Sequence, residues 1–399
     1  MSHGPFRNKY FVPFVVIMAL GSQATFGAQW LVEPALQLRA VHDDNLYLTT
    51  GPHSTAWGGT VSPQLSLSRR EENQALSLTG RLIFNRYSSS DFRDTNVQVL
   101  TLGEHYNTER DSWNLNARYT GDTTMTTINS AADNADIDVG LVPVEVKRRR
   151  IDLRPSWTHS LSKQGSLRLD YQFRDVSYES TANNGLVGYQ QNGITIAFRR
   201  RITERDQLSG IVQASLYEAT DEGGVDSEDY GVRAKWHHDF SQTLSGDAAV
   251  GARTTTSKLG QQENSSSGLL INAGLVKRYS ELTTYRVILQ RAVLPSGGGK
   301  VVQSDQLHVR WSRKLSPMIS VYFWAGGFRN KSIDQPSSTL DRTYYSLEPG
   351  MRWALSRKWS IDASYRYRSQ KNKSTSQKAD SNAVFIAASY AWPLIAVSR

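Results

Sequence analysis

The feature that most constrains this chain is a period-two alternation of apolar and charged residues, maintained with brief interruptions from about residue 33 to residue 392. Leu167, Leu169, Tyr171 and Phe173 alternate with Arg168, Asp170, Gln172 and Arg174. Trp359, Ile361, Ala363, Tyr365 and Tyr367 alternate with Ser360, Asp362, Ser364, Arg366 and Arg368, and Trp113, Leu115, Ala117 and Tyr119 alternate with Asn114, Asn116, Arg118 and Thr120. Successive side chains of a strand point to opposite faces, so each stretch is a strand with one apolar and one strongly polar face. The stretches are about twice as long as the five or six residues usual in soluble strands, and long enough for a tilted crossing of a bilayer.

The connections alternate as well. Short polar turns fall at Glu71–Asn73, Glu109–Ser112, Leu161–Gly165, Ile202–Asp206, Ser241–Thr243, Ser280–Leu282, Leu315–Pro317 and Ser356–Lys358. Mostly longer loops lie between them, at about 43–56, 88–93, 124–146, 180–187, 220–227, 258–266, 295–300, 330–341 and 370–380. Short turns on one side of a membrane and long loops on the other are the asymmetry of an outer-membrane barrel. Eight turns and nine loops join 18 strands, an even number that puts both ends of the barrel chain on the short-turn side; 16 is the alternative count. The expected fold is therefore all-β, a single transmembrane antiparallel β-barrel. Its least defined strands are the first, about 33–42, and the fourth, about 94–108, where Val97 and Val99 compete in phase with Leu100 and Leu102.

Tryptophan supports this reading. Trp113 and Trp359 follow short turns, Trp157, Trp236, Trp311 and Trp353 precede them, and Trp392 closes the last alternating stretch on the same side. Amphipathic rings favour the lipid–water boundary. A soluble sandwich gives no reason for tryptophan to mark only every second connection. The last strand, 383–392, places Val384, Ile386, Ala388, Tyr390 and Trp392 on one face, like the C-terminal signal read by outer-membrane assembly machinery, although Pro393–Arg399 continues past it.

Mean hydropathy, −0.48, is too low for a helical bundle in a membrane, but a barrel needs only every second residue apolar. Residues 1–27 read as an export signal: Arg7 and Lys9 precede the apolar stretch Phe11–Leu20, and small residues at Ser22-Gln23-Ala24 and Thr25-Phe26-Gly27 offer cleavage near 24–28. The barrel then occupies 28–399, in the outer membrane of a bacterium. The chain has no cysteine, which excludes a lipid-anchored lipoprotein, disulfides and thiolate chemistry. The net charge of +9 is spread along the chain with no nucleic-acid module, so nucleic acid is not an expected partner.

The segments Val41-His42-Asp43-Asp44-Asn45-Leu46-Tyr47-Leu48-Thr49 and Val61-Ser62-Pro63-Gln64-Leu65-Ser66-Leu67 resemble the first hairpins of the outer-membrane β-barrel porin family encoded with exopolysaccharide and PEP-CTERM-associated gene clusters. The resemblance implies a porin or a conduit for polysaccharide export, working with periplasmic export proteins.

The polar phase is expected to line the lumen. It carries Arg81, Arg118, Arg154, Arg168, Arg174, Arg199, Arg233, Lys235, Arg253, Arg286, Arg310, Arg352, Arg366 and Arg368, against the acids Asp152, Asp170, Asp247, Glu348 and Asp362. A pore so lined favours anions, unless the charges serve only as ladders tying strands together. The loop Thr124–Val146, the longest connection, carries Asp133, Asp136, Asp138 and Glu145 and no basic residue; it is expected to dip inward and narrow the lumen, the alternative being a loop that stays outside.

Other motifs read blandly. His42-Asp43-Asp44 is a turn before a cation site, and His237 and His238 point to opposite faces and cannot easily share a metal. Gly297-Gly298-Gly299-Lys300 lacks the spacing of a phosphate loop, and Asn264-Ser265-Ser266 is a chance glycosylation pattern. No nucleophile motif marks an enzyme. The expected protein is a passive pore without cofactor, metal or catalytic residues; the alternatives are a plugged or structural barrel and an outer-membrane enzyme.

Overall fold

The structure, a computed structural model, describes residues 29–89, 91–124, 145–179, 186–220, 224–295, 301–333, 341–373, 375–393 and 395–398. The expected export signal, Asp133, Asp136 and Asp138 lie outside the described residues.

The chain forms β1 (Gln29–Asp43), β2 (Ala56–Arg70), β3 (Gln74–Tyr87), β4 (Thr95–Asn107), β5 (Asp111–Thr123), β6 (Lys147–Ser160), β7 (Gly165–Tyr178), β8 (Tyr189–Arg201), β9 (Asp206–Ala219) and β10 (Asp226–Ser241). It continues through β11 (Leu244–Leu259), β12 (Gln262–Ser280), β13 (Thr283–Pro295), β14 (Val301–Lys314), β15 (Ile319–Ser332), β16 (Arg342–Ala354), β17 (Trp359–Asn372), β18 (Lys378–Ala391) and β19 (Ile395–Ser398). Consecutive strands pair antiparallel from β1 to β18. Closure comes from β1, whose Ala35–Asp43 pairs with β18 and whose Gln29–Val32 pairs with β19. The tail past Trp392 thus extends the eighteenth stave, and Trp392 N donates to the Pro34 carbonyl (3.1 Å) across the break. The molecule is a closed barrel of 18 antiparallel staves. Both the first and the last stave begin or end on the side of the short turns.

The alternation reads directly onto the two faces. Leu38, Val61, Leu82, Leu100, Ile194, Val212, Val232, Val250, Leu289, Leu307 and Ile386 are exposed and form the apolar outer band. The fourth strand resolves its competing phases: Leu100 pairs with Tyr119 on the outer face, while Val97 is buried on the inner one. The short-turn side carries an aromatic belt in which Trp113 meets Trp157 (5.7 Å) and Tyr390 meets both Trp359 (4.7 Å) and Trp392 (4.6 Å). This is the side of the periplasm, and the longer loops stand at the outer mouth.

One seam is incomplete. β12 stays paired with β11 along its whole length, from Leu244↔Lys277 to Leu259↔Gln262, yet its pairing with β13 ends at Ile271↔Arg291. β13 and β14 remain paired with each other up to Pro295↔Val301.

Candidate functional site: the lumen wall

The wall is built from the inward phase of every strand. All fourteen basic residues named from the sequence occupy the phase opposite the exposed apolar side chains. Arg233 and Lys235, for example, alternate with exposed Val232 and Trp236, and Arg366 alternates with exposed Tyr365. Arg154, Arg168 and Arg233 border a cavity of about 960 Å³ together with Asn114, Asn116, Gln191 and Gln213. Asp170, Asp229 and Ser215 share the lining, so guanidinium and carboxamide groups able to donate to oxygen-rich solutes stand beside carboxylates and hydroxyls.

Five inward acids are matched by cations. Asp152 receives Arg174 (2.7 Å), with Arg150 and Arg154 at 3.6 and 3.7 Å. Asp170 pairs with Arg168 (2.7 Å), Asp247 with Lys235 (2.9 Å), Asp362 with Arg352 (3.3 Å) and Asp122 with Arg148 (2.7 Å). Arg39, Arg81, Arg118, Arg199, Arg233, Arg286 and Arg342, by contrast, form no salt bridge among the described residues. Ladders tie neighbouring strands, and a surplus of cations remains among the described residues.

The β15–β18 side of the lumen interleaves cations with rings. The guanidiniums of Arg39 and Arg366 lie 3.8 and 4.6 Å from the ring centre of Phe385. Arg310 stands over Trp324 (5.1 Å) and Arg342 over Phe328 (5.0 Å), which itself stacks on Tyr344 (5.1 Å). Tyr322 donates to Asp362 (2.8 Å), its ring lying over Gly350, where even a Cβ would come within 2.2 Å of it. A guanidinium desolvated over a ring stays cationic and gains on the order of 1–2 kcal/mol.

The outer mouth holds the first loop. Asp43, the last residue of β1, is fully buried and accepts from Arg368 (2.8 Å) and from the Ser381 hydroxyl (2.8 Å). Arg368 also donates to the carbonyls of Asn45 (3.3 Å) and Leu46 (3.2 Å), and Gln370 to that of Leu48 (2.9 Å). Asn45 clasps the turn, taking Thr49 N on Oδ1 (3.0 Å) and giving Nδ2 to the carbonyls of Thr49 and Asp380 (3.0 Å each). Leu48 adopts φ 51°, a costly conformation for a side chain other than glycine, and is buried. Leu46 packs with Ala56 and Phe92, flanked by Tyr47 and Tyr87. This loop, named only as a turn from the sequence, is therefore folded into the mouth and fastened there.

Of the four acids on the proposed constriction loop, Glu145 alone is described. It stands at the mouth with a hydrogen bond to Thr123 and Arg93 as its cationic neighbour; none of the fourteen wall cations faces it. Burial raises its carboxyl above the ordinary value, more than Thr123 and Arg93 lower it. The residues His42, Asp43 and Asp44 part company: His42 packs edge-on against Trp57 outside (4.2 Å), Asp43 meets Arg368 inside, and Asp44 accepts from Asn382 N and Nδ2 (2.7 and 2.8 Å). His237 and His238 likewise diverge, His237 toward Asp239 and His238 toward Asp206. Among the described residues no group of three or more such side chains could hold a metal.

Sequence reasoning missed Arg39, Arg148, Arg150 and Arg342. Arg39 alternates with Leu36, Leu38 and Ala40 in the sequence and was legible; in the run Lys147-Arg148-Arg149-Arg150 no apolar residue marks the phase. It also missed a recurrent clasp at the periplasmic rim. Asp111 Oδ1 accepts from Trp157 Nε1 (2.8 Å) and contacts His159 Nδ1 (2.8 Å), and Asp206 Oδ1 does the same with Trp236 (2.9 Å) and His238 (2.7 Å). The signal was present: both carboxylates end a Thr-Glu-Arg-Asp turn, and each clasps a Trp-x-His on the next strand.

Residues 217–390 match the sequence family described as putative beta-barrel porin 2. The match covers less than half of the chain; the closed, lipid-banded barrel places the protein in the bacterial outer membrane. No curated protein matches it. Among solved structures it is similar to the FrpB iron transporter of Neisseria meningitidis (8% identity, TM-score 0.49, 90% of this chain and 81% of that one). It is also similar to the Pseudomonas aeruginosa outer-membrane protein OpdK (10%, TM-score 0.46, 90% and 99%) and to OccK2 from the same organism, solved with glucuronate (10%, TM-score 0.46, 90% and 98%).

Proposed function

We propose that this barrel is a passive channel for anionic solutes, and in its sharper form a conduit for an acidic exopolysaccharide delivered by periplasmic export proteins. The observation that carries the reading is the inward surplus of guanidinium. Asp122, Asp152, Asp170, Asp247 and Asp362 are matched, while Arg39, Arg81, Arg118, Arg199, Arg233, Arg286 and Arg342 form no salt bridge among the described residues and outnumber Glu348, the remaining inward acid named from the sequence. Rings of Arg in an aqueous pore attract anions. The rings of Trp324, Phe328, Tyr344 and Phe385 beside these cations add apolar faces suited to the C–H faces of sugar units, and the resemblance of the first hairpins to barrels encoded with exopolysaccharide genes points the same way.

The test is ionic current through the purified protein in a planar bilayer under a salt gradient. A reversal potential on the anion side, with current blocked by polygalacturonate but not by neutral dextran, supports the proposal. Cation preference, or equal block by both polymers, defeats it. A second reading, a barrel closed at its mouth, is favoured by the buried first loop, and absence of current in the parent and in every mouth variant would support that instead.

A further inference from the structure

The incomplete seam between β12 and β13 carries a second meaning. Leu289 and Leu307 share the outer, lipid-facing phase of the β13–β14 hairpin and are exposed. Val293, Val301 and Gln303 lie on that same phase, and the β13–β14 register runs unbroken through them. Yet Val301 is buried, packed with Val176, Tyr189 and Tyr217, with Val293 against the same cluster. Those three belong to the inward phase of β7, β8 and β9: Val176 pairs with Tyr189, and Tyr217 pairs with Gln191, which borders the lumen cavity. Gln303 Oε1 lies 3.5 Å from Arg253 Nη2, and Arg253 is on the inward phase of β11. The outer face of the hairpin therefore rests on the inner face of a distant stretch of wall. Its other face is covered too, since Val302, Ser304 and Gln306 are buried. Above the Arg291–Asp305 pair (2.5 Å) the β13 arm has parted from β12 and the hairpin leans across the mouth, the β14 arm keeping its ladder to β15 through Val302↔Ser332.

The place they left remains open. The β12 segment Gln262–Leu270 has no partner strand on the β13 side among the described residues. Extending the register of Ile271↔Arg291 by simple continuation would set Leu270 opposite Ala292 and Leu269 opposite Val293. Val293 would then join exposed Leu269 on the outer face.

We infer that the outer arms of β13 and β14, residues 292–295 and 301–304, form a gate with two seats. In the observed seat they cross the lumen, held by the apolar cluster and by Arg253, which bridges Gln303 to Thr255 (2.5 Å) and Asp229 (3.8 Å). In the other seat they swing back together with the Asn330–Ser332 tip of β15 that is laddered to them, zip onto the free edge of β12, complete the cylinder and clear the mouth. The exchange trades apolar contacts and one guanidinium latch for ladder hydrogen bonds, so neither seat is overwhelmingly favoured, as a bistable element requires. Gly268 belongs to the latch: the Arg253 guanidinium lies 3.3 Å from where a Cβ would stand. The gate rests on the pore reading.

The chain has no cysteine, so paired cysteines report each seat cleanly. Leu269→Cys with Val293→Cys should form a disulfide on mild oxidation, lock the gate open and raise mean conductance, reversibly with dithiothreitol. Tyr217→Cys with Val301→Cys, joined by a short bis-maleimide, should abolish current. Arg253→Ala should raise the open-to-closed ratio about tenfold, and Val301→Asp should open the pore by placing a carboxylate in the apolar cluster. If the first pair never cross-links, or both locked forms conduct like the parent, the gate is overturned while the pore stands. If neither locked form nor Val301→Asp passes ions, the pore reading falls with it.

Discussion

Arg368 and Asp43 meet at 2.8 Å with neither side chain exposed to water, although 325 residues separate them in the chain. The pair reaches across β18 to join β17 to the end of β1, and the same guanidinium caps two carbonyls of the first loop. A buried ion pair earns its stability through such extra hydrogen bonds, because desolvation offsets much of the Coulomb attraction.

Removing one partner should therefore be costly. Arg368→Met leaves Asp43 buried with Arg366 at 3.9 Å as its remaining cation, a loss of up to about 3 kcal/mol. The expected result is release of the first loop, seen as new protease cleavage between residues 44 and 55 in a barrel that still resists heat in detergent. Cleavage no faster than in the parent would show that the loop is held by Leu46 and Phe92 alone.

The charge preference should respond to the surplus. Replacing Arg118, Arg199 and Arg233 by Gln should move the reversal potential toward zero, whereas Lys235→Gln with Asp247→Asn, which removes a matched pair, should leave it nearly unchanged. The preference of the parent should weaken as salt rises, since charges are screened beyond about 8 Å at physiological ionic strength.

Glu145 gives a pH dependence of known sign. Burial favours its neutral form in the fold, so its contribution to mouth packing is complete at low pH and is lost as pH rises through the raised value. Amide exchange at Thr123 and Thr124 should be slower at about pH 4 than at about pH 8 after correction for intrinsic rates. Glu145→Gln should remove the difference; a variant that keeps it would assign the effect elsewhere.

The clasps at the periplasmic rim should act as a pair of equals. Asp111→Ala and Asp206→Ala each leave an indole N–H and an imidazole without their shared acceptor. Both should lower the denaturant midpoint in lipid vesicles, with a change in tryptophan emission, while Glu109→Ala should not.

The expected leader calls for a direct measurement. N-terminal sequencing of protein extracted from outer membranes should begin near residues 25–29; a start at Met1 would remove the export signal from the account.

The barrel was legible because its physics is local. Each strand must show lipid one face and water the other, so Val232 and Trp236 betray Arg233 and Lys235 with no knowledge of neighbours. The tryptophan belt and the turn–loop asymmetry followed for the same reason. The mouth was not legible, because its contacts are set by distance in space. Nothing in Asp43-Asp44-Asn45 announces a partner at Arg368, and the alternation of Val293, Val301 and Gln303 continues that of Leu289 and Leu307 although they face a different environment. A period of two names two faces; it does not say that one face has been turned over.

Closure of the ring by β1 against β18 and β19 has a kinetic consequence. Every other pairing joins consecutive strands, whereas this one spans nearly the whole described chain. Chain entropy charges little for that span: loop closure grows with the logarithm of length, so joining ends some 350 residues apart costs only about 3 kcal/mol more than a ten-residue hairpin. The barrier to completing the cylinder is thus one of search rather than of free energy. Hairpins can form in any order, but the last seam must wait for all of them, and a sheet left waiting exposes two bare edges to any other chain that carries a strand.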